Sequence, residues 1–257
     1  MKILVLGDIH GRLCWLDIIE KEQPDKIIFL GDYVSTHDGI SADQQLANLE
    51  DILNYKIDNP DKVILLRGNH DTQHLGYSWA ECSGWDQKVY EKMFTMKDIF
   101  LEKTQWLYPL QIENKFIIFS HAGISNTWYE YIKKKHPEVT CIADINNLEP
   151  SEDFGFIPNS PWDYSGDSIT QSCTWIRPRT LVTDMPKGII QVVGHTPVNS
   201  VCVNLLDKIR EKKTEGSRSW NEIKDIPDLW LCDALSDGSY LVIEDREFVP
   251  KSLKNDY

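Results

Sequence analysis

Six side chains of metal-binding type each follow closely on a short apolar run. Asp8 and His10 come after Ile3-Leu4-Val5-Leu6, Asp32 after Ile27-Ile28-Phe29-Leu30, and Asn69 after Val63-Ile64-Leu65-Leu66. His121 comes after Phe116-Ile117-Ile118-Phe119, and His195 after Ile189-Ile190-Gln191-Val192-Val193. Asp8 and His10, two residues apart, can both reach one ion, and Asp32 can bridge two ions with its two carboxylate oxygens. Mixed carboxylate, amide and imidazole donors suit first-row ions such as manganese, iron and zinc better than calcium or a thiolate-bound zinc. A single histidine at a strand end is ordinarily a polar residue meeting water, and a lone Gly-Asp is ordinarily a turn. Five such junctions in series describe strand ends that deliver donors to one rim.

The elements that must carry them follow from pattern. Apolar runs of four or five residues without alternation read as strands covered on both faces, so an α/β chain whose early strands are parallel is expected. Trp15, Leu16, Ile18 and Ile19 form a helical stripe after the first strand. Leu46, Leu49, Ile52 and Leu53 form another after the second, with Asp43 as the expected cap. Residues 85–101 are again helical by period. Pro109-Leu110-Gln111-Ile112 and Lys115-Phe116-Ile117-Ile118-Phe119 read as a hairpin turning at Glu113-Asn114, which brings in antiparallel neighbours. Residues 146–167 read as a long surface loop, and the charged stretch 208–228 as an exposed helix or insertion. Leu229-Trp230-Leu231-Cys232 and Tyr240-Leu241-Val242-Ile243 read as a closing hairpin around Ser236-Asp237-Gly238.

Composition sets the limits. The 257 residues suffice for one large domain (1–257, with a charged insertion around 205–228), and 41% hydrophobic residues supply a core. A net charge of −13 argues against general binding to nucleic acid or anionic membrane. The six cysteines form no CxxC pair, which speaks against a zinc ribbon and fits reduced thiols. No run approaches the length of a membrane span, so a soluble, cytoplasmic protein is expected.

The ordered set Gly-Asp-Ile-His-Gly (7–11), Gly-Asp-Tyr-Val (31–34), Arg-Gly-Asn-His-Asp (67–71), Ser-His-Ala-Gly (120–123) and Gly-His-Thr-Pro (194–197) resembles the calcineurin-like metallophosphoesterase superfamily. Within it, the likeness is to the phosphoprotein phosphatase branch with its bacterial and phage members. The resemblance implies a four-layer αββα sandwich of two mixed β-sheets flanked by helices. It implies Asp8, His10 and Asp32 on one metal ion and Asp32, Asn69, His121 and His195 on a second, manganese first, with iron or zinc as alternatives. A hydroxide bridging the ions would attack a phosphomonoester in line, as in serine/threonine protein phosphatases. The alternatives are a nucleotide-directed hydrolase acting on dinucleoside polyphosphates or cyclic nucleotides and, behind it, a catalytically inactive binding protein. The partner is then a phosphorylated substrate, protein or nucleotide. Pro197 stands where other branches carry a further histidine.

By the same resemblance His70 is the general acid, and Asp71 caps the following helix or orients neighbours. The second motif departs from the family: the Asp that orients the acid falls on Ser35, and the phosphate-gripping Arg on Thr36. His37 or Asp38 could substitute if the loop bends inward. An arginine grips phosphate bidentately, so its loss needs a replacement. Arg177, in a Trp-Ile-Arg segment like that of bacterial and phage members, is the first candidate and Arg12 the second; Arg179 reads as surface. Arg67 is expected to be structural, paired with a nearby acid. Trp162 and Tyr164 are candidates for the wall of a substrate cleft.

Overall fold

The apolar runs are strands, and alternate residues along each of them face different layers. In the computed structural model, which describes residues 1–35, 38–158, 165–203 and 229–253, β1 (Ile3–Leu6), β2 (Lys26–Phe29) and β3 (Val63–Leu65) pair in parallel. Ile3, Val5, Ile28 and Leu30 face a second sheet, packing with Ile117, Phe119, Ile190 and Val192. Leu4, Leu6, Ile27 and Phe29 face outward onto helices. These are α1 (Cys14–Glu22), α2 (Ala42–Asp58), α4 (Gln87–Thr95) and α5 (Lys97–Lys103), which contribute Trp15, Ile18, Leu49, Ile52, Met93 and Phe100. A fully buried side chain of this size contributes about 1.5–3 kcal/mol, so these two interfaces carry much of the driving force for folding.

The second sheet contains β4 (Leu107–Ile112), β5 (Lys115–Ser120), β6 (Ile189–Val193), β7 (Cys202–Val203) and β8 (Leu229–Leu231), in the order β4-β5-β6-β8-β7. The β4–β5 hairpin turns at Glu113, whose φ of 54° is left-handed, while β5, β6 and β8 run parallel. Its outer face carries α6 (Asn126–Lys135), through Trp128 and Ile132, and α7 (Pro178–Leu181), through Leu181. Helices therefore cover the outer faces of two mixed sheets, giving the four layers expected.

Some expectations fail for identifiable reasons. The hairpin expected from 229–232 and 240–243 does not form, because β8 and β9 (Ser239–Glu244) belong to different sheets. A helical turn at Leu235–Asp237 carries the chain across, and β9 pairs antiparallel with both β1 and β10 (Glu247–Ser252). The α2 cap is Ser41, not Asp43: the Ser41 hydroxyl accepts from Gln44 N and Gln44 reaches back, a reciprocal capping box. Leu16 lies off the α1 stripe and is 48% exposed. The helical period over 85–101 is divided at Met96 between α4 and α5. Segment 146–167 is not simply a surface loop, since Leu148 and Phe154 are buried and Phe154 stacks on Trp106 at 3.8 Å. The charged insertion around 205–228, and Thr36, His37, Trp162 and Tyr164, lie outside the described residues. No helix among the described residues is long and apolar enough to cross a membrane.

Candidate metal centre

Parallel strands point their carboxyl ends the same way, and here six of them end on one rim. β1 supplies Asp8 and His10, β2 Asp32, β3 Asn69, β5 His121, β6 His195 and β8 Asp233. The chain must turn sharply as it leaves these strands. His10, Asp32 and His195 adopt left-handed φ values of 45°, 51° and 62°, strain that recurs where side chains are aimed for function. Two glycines let backbone close in on the carboxylates: a Cβ on Gly68 would fall 2.0 Å from Asp32 Oδ1, and one on Gly194 would fall 2.2 Å from Asp8 Oδ1.

The donor atoms of Asp8, His10 and Asp32 lie within 4.8 Å of one another, and so do those of Asp32, His121 and His195. Asp32 is common to both groups. Asn69 joins the second, its Oδ1 lying 2.9 Å from His121 Nε2. Each histidine has one ring nitrogen on a main-chain carbonyl: His10 Nδ1 on Val34 O (2.8 Å), His121 Nδ1 on Leu30 O (2.9 Å) and His195 Nε2 on Trp175 O (3.1 Å). Such a bond fixes the tautomer and turns the other nitrogen inward as a ligand.

The charges ask for a cation. Burial, followed by the charge of Asp233, pushes the Asp8 carboxyl well above the usual carboxylate range. Burial also raises Asp233 itself, with Asp32 adding to the rise. Burial works in the same direction on Asp32, but His121, His70 and His10 outweigh it and hold that carboxyl far below its ordinary value. Burial opposes a charged His121, yet Asp32 pushes the imidazole up to about 10. Burial, then His121 and Arg177, keeps His195 well below its ordinary value and hence neutral. The buried Asp8 and Asp32 and the half-buried Asp233, meeting three histidines anchored for inward coordination, fit divalent ions held by N and O donors.

Asp71 orients neighbours. Its carboxylate accepts from Asp32 N, Tyr33 N and Gly68 N at 2.7–2.8 Å, tying the β2 and β3 ends together. Burial raises its pKa to about 7. His70 lies on the wall of a cavity of about 450 Å³ shared with Asp8, His10, Asp32 and Arg177, and burial lowers its imidazole to about 4.

The arginines separate by what they touch. Arg177 Nη1 donates to His195 O (2.8 Å) and Thr196 Oγ1 (3.2 Å) on the cavity wall, with no ion-paired carboxylate among the described residues. Arg12 is paired with Asp38. Arg179 is exposed. Arg67 is structural, but its partners among the described residues are not an acid. It donates to Thr104 Oγ1 and to the Leu101 and Thr104 carbonyls, and lies over the Trp106 ring at 4.7 Å.

Asp233 was missed on sequence, although Leu229-Trp230-Leu231-Cys232 precedes it as the other apolar runs precede their donors. It lacks a neighbouring glycine or histidine, and the run was assigned to a hairpin. Glu81 and Cys82, which line the same cavity, lie beyond the motifs, on the segment after Asn69.

The sequence matches a family model, calcineurin-like phosphoesterase, over residues 1–232. The chain belongs to that family. The family hydrolyses phosphoester bonds, and the His/Asp cluster is the metal-site candidate such a member carries. A serine/threonine-protein phosphatase 4 catalytic subunit of Saccharomyces cerevisiae is 36% identical over 161 residues, 59% of this chain and 44% of that protein. Serine/threonine-protein phosphatase PP1-delta of Caenorhabditis elegans is 26% identical over 213 residues, 79% of this chain and 60% of that protein. The chain thus spans about half the length of the curated relatives it matches. The structure of a cold-active protein tyrosine phosphatase superposes with a TM-score of 0.58 at 16% identity, covering 98% of this chain and 76% of that one. At that identity the likeness shows the fold of this phosphoesterase and no more.

Proposed function

We propose that this phosphoesterase hydrolyses phosphomonoesters at two divalent ions, with serine/threonine phosphoproteins as the first substrate class. Asp8, His10 and Asp32 hold one ion; Asp32, Asn69, His121 and His195 hold the other; manganese is the first candidate. The observation that carries this reading is the convergence of donors from five strand ends into two groups that share Asp32. Divalent ions, when bound, polarise phosphoryl oxygens and acidify water. The chain's own residues do the rest. Arg177, held by His195 O and Thr196 Oγ1 at the cavity wall, grips the phosphate, and Arg12, committed to Asp38, is second to it. His70 assists the leaving oxygen as general acid. Asp71 holds the Asp32 and Gly68 turns in register.

A second reading, a nucleotide as substrate, is favoured by one observation. A neighbouring cavity of about 440 Å³ shares Glu81 and Cys82 with the metal cavity and is lined by Tyr77, Trp85 and Tyr90, rings on which a base could stack. The test is hydrolysis of p-nitrophenyl phosphate, bis(p-nitrophenyl) phosphate, a phosphoserine peptide panel and dinucleoside polyphosphates, with metal content measured in parallel. Metal-dependent turnover of monoesters is expected. Two bound ions with no turnover of any phosphoester would leave a binding protein.

A further inference from the structure

Gln73 follows α3 (Asn69–Thr72) directly in a helical turn, three residues after His70, so the two side chains share a face. The Gln73 side chain is only 5% exposed. Its Nε2 lies 3.0 Å from Ser83 O, 3.2 Å from Ser35 Oγ and 3.3 Å from His70 Nδ1. A carbonyl can only accept, so the amide end facing Ser83 must be the NH2; the reversed amide would set two acceptors 3.0 Å apart. One amide hydrogen therefore goes to Ser83 O, and the other lies between Ser35 Oγ and His70 Nδ1.

The remaining group at Nδ1 is Cys82 Sγ at 3.7 Å, whose thiol hydrogen also has Asn69 O at 3.8 Å. Sulfur is a weak acceptor, and no carboxylate or carbonyl hydrogen-bonds this nitrogen among the described residues. Nδ1 is met by a donor and must accept. A neutral imidazole carries its hydrogen on one nitrogen, so Nε2 is the protonated one.

A second observation points the same way. Gln73 Oε1 is buried and has no hydrogen-bond partner among the described residues. An unmet buried acceptor is destabilising and in a native structure calls for a functional reason. Here the amide is fixed by what its nitrogen does.

We propose that Gln73 is a positioning residue that sets His70 as a neutral Nε2–H donor to the leaving oxygen. This rests on the placement of His70 at the leaving oxygen above, and puts a hydrogen bond in place of proton transfer there. His70 stabilises the departing alkoxide by a hydrogen bond, without surrendering its single proton. As the P–O bond breaks, the electron pair stays on the leaving oxygen, and the proton that completes the alcohol comes from the water consumed in hydrolysis. The phosphate product retains the remaining oxygen and hydrogen of that water.

The tautomer can be read in the unaltered protein, loaded with a diamagnetic divalent ion, from long-range 1H–15N correlations of histidine, with His70→Ala to assign the signals. A hydrogen-bearing Nε2 and a bare Nδ1 are expected; a hydrogen on Nδ1 at neutral pH would overturn the proposal. Gln73→Glu, close in shape but with a carboxylate to accept, should move the hydrogen to Nδ1. In kinetics, Gln73→Met should lower kcat about tenfold for phenyl and alkyl phosphates and less than about threefold for p-nitrophenyl phosphate, with KM little changed. In a His70→Ala background the same change should do nothing more. Equal losses across leaving groups, or losses that add to those of His70→Ala, would make Gln73 merely structural. A His70→Ala enzyme that slows all esters alike would remove the leaving-group role of His70 itself, an outcome the spectroscopic measurement keeps separate from a wrong tautomer.

Discussion

Gly68→Ala should abolish binding of both ions while leaving the fold standing. The added Cβ would lie 2.0 Å from Asp32 Oδ1, 2.6 Å from Asp32 N and 2.8 Å from Asp32 Cγ. To reach an ordinary contact of 3.4 Å the carboxylate oxygen must retreat by about 1.4 Å. A side-chain rotation is not enough, because the Asp32 backbone nitrogen is also too close and is itself held by Asp71 Oδ2 at 2.8 Å. Metal–oxygen bonds tolerate only about 0.2 Å, so Asp32 leaves both donor groups together. Disturbing a residue that merely supports a ligand lowers metal affinity about 10–100-fold; displacing the shared ligand should cost each site at least the upper figure. Overpacking adds about 1–3 kcal/mol of destabilisation. Metal content after gel filtration, calorimetric titration and thermal melting measure the three effects. Gly188→Ala is the control: its φ is +75° and no atom lies within 4 Å of the new Cβ, so it should lose about 1 kcal/mol of stability and keep both ions. Two ions bound to Gly68→Ala with unchanged affinity would refute the reasoning.

Arg177→Ala is expected to weaken inhibition by inorganic phosphate about tenfold with metal content intact, one charge-assisted contact being worth about 1.4 kcal/mol or more; unaltered inhibition would move the grip to Arg12. Asp233→Asn should weaken metal binding severalfold by removing one of three neighbouring carboxylates, and an unchanged titration would show that its charge is met elsewhere. Asp153 lies outside the site. Burial raises its carboxyl, but bonds from His136, Lys135 and Tyr131 outweigh this and hold it below the ordinary range. Its stabilisation is therefore present above the unfolded value of about 4 and is lost as pH falls through the lower folded value. Asp153→Asn should cost about 2 kcal/mol near neutrality and flatten the acid limb of the melting profile; an unaltered acid limb would assign that titration to other groups.

The donors were legible because each is local: an apolar run ends, a turn follows, and the side chain projects from it. His121 and His195 needed no knowledge of pairing, since β5 and β6 carry their own signal in Phe116–Phe119 and Ile189–Val193. What stayed hidden was relational. Asp233 follows an apolar run as Asn69 does, but without the flanking glycine and histidine, and whether Leu229–Leu231 joins β6 or Tyr240–Ile243 depends on partners far along the chain. Ser41 outcompetes Asp43 as cap because Gln44 can reciprocate, a choice between two good candidates two residues apart. Arg67 was expected to find an acid, yet carbonyls at the end of α5 and the Trp106 face satisfied it. The role of Gln73 could not be read at all, because Ser35, Ser83 and His70 meet only in three dimensions.

The pairing of β1 carries a consequence for how the molecule comes into being. The strand that delivers Asp8 and His10 is flanked by β9, whose Leu241, Val242 and Ile243 face Val5, Leu4 and Ile3. The family match ends at residue 232, before that strand begins. A chain halted there would contain every proposed ligand and still present β1 with one side open, an unpaired edge that invites association with other chains. Closing that pair joins residues far apart in sequence, a contact of the kind that forms slowly, and until it closes β1 is open to pairing with another chain.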